Sequence, residues 1–255
     1  MANIPISVFI ITLNEAKYLE QVLKPLSQFD EVIVVDSGST DGTTDIAVNA
    51  GATLIHQEWL GFAKQKQFAM EQCRNEWVLN LDGDEVVSDT FIMELQQAVS
   101  SQEFDAVRVF FEDVFWGKNM SAKSAKRSIV RCFKKSAVNY PMDRKVHENV
   151  VLPKGSRVKK LKTLVTHYGY ASTHILMEKQ NKYSLLKAQE KFEKGKQGSL
   201  FKLMLIYPLT FIKFYLFKKM FLSGRRGLVH AAIESQYAFL KEAKLLELET
   251  LQKQQ

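Results

Sequence analysis

Trp77-Val78-Leu79-Asn80-Leu81-Asp82-Gly83-Asp84-Glu85 passes from an apolar run into a turn with three carboxylates in four residues. Such carboxylates repel one another unless a cation neutralises them. A hard divalent ion that takes oxygen ligands, Mg2+ or Mn2+, is the natural partner. Gly83 lets the backbone turn tightly and keeps side-chain bulk away from a ligand. The alternative is an acidic turn ahead of a helix, since Ser88-Asp89 can cap the segment that follows.

Upstream, the chain alternates between strand and helix patterns. Ile6-Ser7-Val8-Phe9-Ile10-Ile11 and Glu31-Val32-Ile33-Val34-Val35 are nearly continuous apolar runs of strand length, as in strands buried on both faces. Leu19, Val22, Leu23 and Leu26 give helical spacing over Ala16 to Phe29. Thr44 to Ala50 starts another helix, Ala52-Thr53-Leu54-Ile55 is a third strand, Phe62 to Gln72 a helix, and Trp77 to Leu81 the fourth strand. This order predicts βαβ units and a doubly wound α/β sheet, whose ligands bind beyond the carboxyl ends of the strands. The polar clusters Thr12–Glu15, Asp36–Asp41 and Asp82–Glu85 all fall at those ends. Beyond residue 100, Ala106 to Phe111, Ser128 to Phe133 and Leu164 to Tyr168 read as strands, and from Thr173 the chain reads as helices. The expected division is a catalytic domain over 1–172, with its nucleotide side in 1–100 and its acceptor side in 101–172, followed by a helical region over 173–255.

Charge is divided as sharply as the pattern. Residues 1–120 carry a net −12 and residues 121–255 a net +19. An acidic, cation-binding half is thus joined to one that seeks an anionic surface or acceptor. No RNA- or DNA-binding signature accompanies the basic half, so nucleic acid is not the expected partner. Cys73 and Cys132 suit a reducing compartment and spell neither a zinc site nor a disulfide framework. The N-terminal residues lack signal-peptide features, which predicts a cytoplasmic location.

Thr12-x-Asn14-Glu15, Val34-Val35-Asp36-Ser37-Gly38-Ser39-Thr40-Asp41-Gly42-Thr43 and Leu81-Asp82-Gly83-Asp84-Glu85 resemble the signatures of the GT-A glycosyltransferases of family 2. Gly61-Phe62-Ala63-Lys64-Gln65-Lys66, Val146-His147-Glu148 and Phe221-Leu222-Ser223-Gly224-Arg225-Arg226-Gly227-Leu228 resemble the bacterial lipopolysaccharide-core β-1,4-glucosyltransferases. The resemblance implies a Rossmann-like, mostly parallel mixed sheet flanked by helices, with a C-terminal helical tail. It implies a UDP-hexose donor, UDP-glucose first, and an anionic glycolipid acceptor such as the inner-core heptose of lipopolysaccharide.

By that resemblance Thr12, Asn14 and Asp36 line the uridine pocket, with Glu15 and Ser37 beside them. Many relatives carry Asp-Asp where this chain has Asp36-Ser37, and many carry Arg-Asn where it has Lys66-Gln67. Lys66 is either a point charge for the phosphates or an exposed helix residue. Asp82, Gly83 and Asp84 hold the sugar diphosphate, and Asp82, Asp84 and His167 are the candidate metal ligands. An inverting transfer needs a base for the acceptor hydroxyl, and Glu148 is the candidate. Arg127 and Arg131, with Lys123 and Lys126, form a basic patch for the donor diphosphate or a phosphorylated acceptor. A nucleotidyltransferase is disfavoured because Thr12-Leu13-Asn14-Glu15 is not its Gly-rich loop.

Leu200 to Leu222 is rich in apolar residues, but Lys202, Lys213, Lys218 and Lys219 interrupt it. The longest uncharged run, Leu203 to Ile212, contains Pro208 and falls short of the roughly 20 residues a spanning helix needs. An interfacial helix is expected, making the enzyme peripheral at the inner face of the plasma membrane; a dimer interface and an intramolecular cap are the alternatives.

Overall fold

The computed structural model describes residues 3–141 and 149–254. The chain divides into two compact units, one from residues 3–112, 127–141 and 149–168, the other from 113–126 and 169–254.

The first unit is built on β1 (Ile4–Thr12), α1 (Ala16–Leu23), β2 (Phe29–Asp36), α2 (Thr43–Asn49), β3 (Thr53–His56), α3 (Phe62–Glu71) and β4 (Trp77–Asp82). β5 (Glu85–Val86), α4 (Asp89–Ser100), β6 (Ala106–Phe115), β8 (Ser128–Lys134) and β9 (Val158–Tyr170) follow; the last residues of β6 and β9, and the two-residue strand β7 (Lys118–Asn119) that pairs with the end of β6, count with the second unit. The sheet runs β3-β2-β1-β4-β8-β6-β9-β5. β3, β2, β1 and β4 are parallel, and β8 joins β4 antiparallel. This is the mixed, mostly parallel α/β sheet that the sequence predicts.

The continuous apolar runs are explained by burial on both faces. In β1, Ile6, Val8 and Ile10 face one core with Leu19, Val22, Phe91 and Leu95, while Phe9 faces a second with Ile33, Val35, Met70 and Val78. Each such side chain contributes about 1.5–3 kcal/mol on burial. Helix α1 stops at Leu23 rather than reaching Phe29, and a 3-10 turn over Lys24–Gln28 follows. Pro25 has no N–H with which to continue the helical ladder. Two short strands, β5 and β7, have no sequence signal, because two residues carry no periodicity.

The second unit holds α5 (Thr173–Glu193), α6 (Leu200–Ile212) and α7 (Arg225–Gln252). Ser172 and Ser199 cap the first two by accepting from Ile175 N and Lys202 N. α6 runs through Pro208 and continues as a π turn over Lys213–Phe217. The helical stretch Leu200–Phe217 is therefore unbroken, and by length and composition it could cross a membrane. Sequence division at 172/173 leaves out residues 113–126, which belong to this unit. The Arg226 guanidinium holds them, donating to the carbonyls of Phe115, Lys118 and Asn119 at 3.2, 2.6 and 3.1 Å. Gly227 is required beside it, since a Cβ there would lie 1.7 Å from the Met220 carbonyl oxygen.

Both cysteines are buried and free. Burial, with Glu31 adding to it, pushes the Cys73 thiol up to about 12, and burial raises Cys132 as well. Neither supplies thiolate at neutral pH. Both thiols are expected to stay silent to Ellman's reagent in the native protein and to react fully in denaturant; a fast native reaction would contradict their burial.

Candidate active site

The parallel register sets the site. Thr12 on β1 pairs with Asp36 on β2, and Ile11 with Asp82 on β4, so three polar loops leave the same sheet edge side by side. Side-chain bonds lace the first two loops together. Asp36 accepts from Gly38 N at 2.9 Å, Ser39 N at 2.8 Å, Thr12 Oγ1 at 3.1 Å and the Ser39 hydroxyl. Burial works against its charge, but these donors outweigh it and hold Asp36 below the usual carboxylate range.

Asn14 takes a left-handed conformation at φ 57°, which Asn tolerates better than most residues. From there its Oδ1 accepts from Thr40 N at 2.9 Å, and its own N–H donates to Ser39 Oγ at 2.8 Å. Glu15 N donates to Thr43 Oγ1 at 2.9 Å. Ser37 accepts at 3.0 Å from Gln65, a fully buried α3 residue that also reaches the Gln57 carbonyl. Thr12, Asn14, Glu15, Asp36 and Ser37 thus stand together. In this structure Thr12, Asn14 and Asp36 use their side chains to shape the loops.

The third loop is joined through Gly83, whose added Cβ would meet Glu15 Cβ at 3.0 Å and Cγ at 3.1 Å. Asp82 is held by two cations, Lys66 Nζ at 3.2 Å on one oxygen and Arg131 Nη2 at 2.6 Å on the other. Burial opposes its charge, but Arg131 and Lys66 overcome that and keep Asp82 well below the usual range. Lys66 is therefore a buried partner of the acidic turn and not the exposed helix residue of the second sequence reading. Asp84 points elsewhere, with Oδ1 3.8 Å from His167 Nε2, and its carbonyl accepts from Tyr168 N at 2.9 Å. Among the described residues no three His, Cys, Asp or Glu side chains form a preassembled metal cluster. Asp84, in the turn ahead of β5, and His167, on β9, bring an oxygen and a nitrogen donor together, the donor pair a hard divalent ion accepts; Asp82 is turned to its cations instead.

Glu85 is the residue that the acidic pattern misleads about. Its carboxylate is fully buried and turned inward, accepting from Arg131 at 2.5 Å and from Asp82 N at 3.1 Å. Its backbone pairs with His167. Arg131 also donates to Asn80 Oδ1 at 2.8 Å, and the Tyr140 hydroxyl reaches the same oxygen at 3.4 Å. Burial works against charge on Arg131, and Asp82 and Glu85 outweigh it, so the guanidinium is held charged. Arg127 stacks over Phe111, 4.0 Å from the ring centroid. Arg131, which the sequence places in a basic patch for a diphosphate or phosphorylated acceptor, is instead buried in this network; Asn80 and Gln65 carry no such expectation, although Asn80 is visible as a lone polar residue inside an apolar strand. Glu148 lies outside the described residues.

The glycosyl transferase family 2 model matches residues 7–168, and the chain belongs to that family. It is 33% identical over 257 residues to the lipopolysaccharide core biosynthesis glycosyltransferase LpsC of Rhizobium meliloti, covering 98% of this chain and 94% of that protein. It is also 33% identical over 254 residues to the uncharacterized glycosyltransferase RT0209 of Rickettsia typhi, covering 95% of this chain and 87% of that one. The crystal structure of S. aureus TarS 1-349 in complex with UDP-GlcNAc shares the fold at a TM-score of 0.51 and 15% identity, over 98% of this chain and 91% of that chain.

Removing Arg131 leaves the fully buried Glu85 only a longer contact, 3.9 Å, with Arg127, so Arg131→Met is expected to cost about 3–5 kcal/mol in urea unfolding. Lys66→Met should cost only about 1 kcal/mol, because Asp82 keeps Arg131 and is partly open to solvent. Equal losses would mean that the two cations are not ranked as the geometry implies.

Proposed function

We propose that this glycosyltransferase moves a hexose, first of all glucose from UDP-glucose, by an inverting reaction onto a lipid-linked glycan such as lipopolysaccharide inner-core heptose. The observation that carries the donor half is the meeting of the acidic turn with the loops after β1 and β2 at one sheet edge. Likeness to LpsC over nearly the whole chain supports the acceptor half.

In this reading the uridine lies against Thr12, Asn14 and Asp36, and the diphosphate reaches the Asp82-Gly83-Asp84 turn. Lys66 and Arg131 supply positive charge there. Asp84 and His167 would hold Mg2+ or Mn2+, and the ion would supply positive charge to stabilise the diphosphate as leaving group. The acceptor hydroxyl oxygen attacks the anomeric carbon from the face opposite the diphosphate, whose bond to carbon breaks with inversion. Glu148 takes the hydroxyl proton as base. The lipid-linked acceptor puts the enzyme at the cytoplasmic face of the bacterial plasma membrane as a peripheral protein, with a homodimer through the helical tail as the other use of that region.

A thermal-shift panel of nucleotide sugars with and without Mn2+ tests the donor half. One UDP-sugar should stabilise the protein in a metal-dependent way, by about 2.7 kcal/mol at a hundredfold excess over Kd. No shift with any sugar nucleotide would remove the reading. His167→Ala should abolish the metal-dependent part of that shift and spare the rest. Glu148→Gln should lower the rate by more than about tenfold, one 1.36 kcal/mol step, with sugar-nucleotide binding unchanged; a mutant that keeps more than a tenth of the rate excludes Glu148 as the base.

A further inference from the structure

Exposed large apolar side chains concentrate, among the described residues, on α6 and its π turn. Not one residue of Leu200–Phe217 is buried. Phe201, Met204, Leu205, Leu209, Ile212 and Leu216 are all exposed. At ~100° per residue these six side chains fall within a sector about 140° wide, a single ridge along the whole stretch. Leu203, Ile206 and Thr210, each half-buried, lie on the opposite side, and α6 packs along α7. The ridge is therefore the most open side of a helix whose other side, Tyr207 apart, is half-buried.

Charge decides what covers the ridge. Residues 196–226 contain seven Lys and Arg and no Asp or Glu. Lys202 and Lys213 sit about 100° from the middle of the ridge, at its flank rather than on it. Lys196, Lys219 and Arg225 are exposed at its two ends. A second copy of this chain would bring the same cations against these, whereas an anionic bilayer answers both the apolar ridge and its basic border.

Length alone would let this helix cross a bilayer, but its neighbour argues against that. α7 carries charged residues along its course, and Glu242, 1% exposed, accepts from Lys202 at 2.6 Å and from Ser199 N at 3.2 Å. Glu249 accepts from Gly198 N as well. A spanning α6 would have to shed α7 or drag these charges into hydrocarbon.

We propose that α6 lies in the plane of the membrane, its Phe201–Leu216 ridge sunk into the acyl boundary of an anionic leaflet and its flanking lysines at the phosphates. The inference is independent of the sugar donor and deepens the membrane half of the function proposed above, resting on that reading only for the lipid-linked acceptor. A binding assay separates the two, since it does not depend on turnover.

The test is co-sedimentation of the full chain with vesicles of phosphatidylcholine alone or mixed with phosphatidylglycerol, at low and high salt. Binding is expected only with phosphatidylglycerol, and salt should weaken it. The double variant Leu209→Glu/Ile212→Glu should partition about a hundredfold more weakly or worse, as two apolar contacts are lost and two like charges added. Lys213→Glu/Lys219→Glu should bind at least about tenfold more weakly while keeping the ridge. Unchanged far-ultraviolet circular dichroism and melting temperature would show that both variants fold. Wild-type protein that stays in the supernatant overturns the proposal. So does a stable dimer by light scattering that Leu209→Glu/Ile212→Glu dissociates. Membrane protein that resists alkaline carbonate extraction also overturns it, in favour of a spanning helix.

Discussion

The buried guanidinium of Arg131 is the contact on which the site depends. It reaches Asn80 and Asp82 from β4 and Glu85 from β5, and so ties the strand before the acidic turn to the strand after it. A carboxylate as deeply buried as Glu85 is tolerable only beside such a cation. Glu85 in turn accepts from Asp82 N and pairs its backbone with His167. One ion-pair network therefore sets where the turn, the Asp84 side chain and the histidine stand relative to one another. Three adjacent carboxylates have taken three environments: Asp82 between two cations, Glu85 inside, and Asp84 toward His167.

The opposite side of the site is made from ordinary loop chemistry. Asp36 closes its turn by accepting from Gly38, Ser39 and Thr12, and Asn14 uses a left-handed backbone to reach Thr40. Because both loops leave adjacent parallel strands in register, each supplies the other's missing hydrogen bonds. Gly83 completes the arrangement by letting Glu15 close over the acidic turn. Such preorganisation lowers the ordering cost of binding a ligand at this end of the sheet.

The helical unit solves a different problem. Its small core of Phe115, Met120, Leu176, Met220 and Ile233 takes in the segment 113–126 through Arg226. α6 nonetheless keeps an apolar ridge out of that core. Interior positions that could have taken its side chains are filled along α7 by Ala231, Ala238 and Leu245 and by charged Glu242. An amphipathic helix with one side packed and the other side open has the distribution expected of an interfacial element.

The succession of strands and helices over the first 82 residues, the doubly buried β-strands and the position of the three polar loops are legible in the sequence, because a 2- or 3.6-residue period and a buried parallel strand leave local signatures; the order of the strands in the sheet is not. Thr12, Asn14, Asp36, Asp82 and Asp84 are legible too, as polar residues where apolar runs end. The end of α1 at Leu23 is not legible, since Leu26 keeps the helical spacing while Pro25 breaks the ladder. Residues 113–126 were assigned away from the helices because nothing local points to Arg226, more than a hundred residues on. The acidic turn by itself determined that a cation is needed there. Which carboxylate receives which cation was decided only by tertiary structure, because Lys66, Arg131 and His167 come from three separate elements and burial ranks them in a way that no local pattern records.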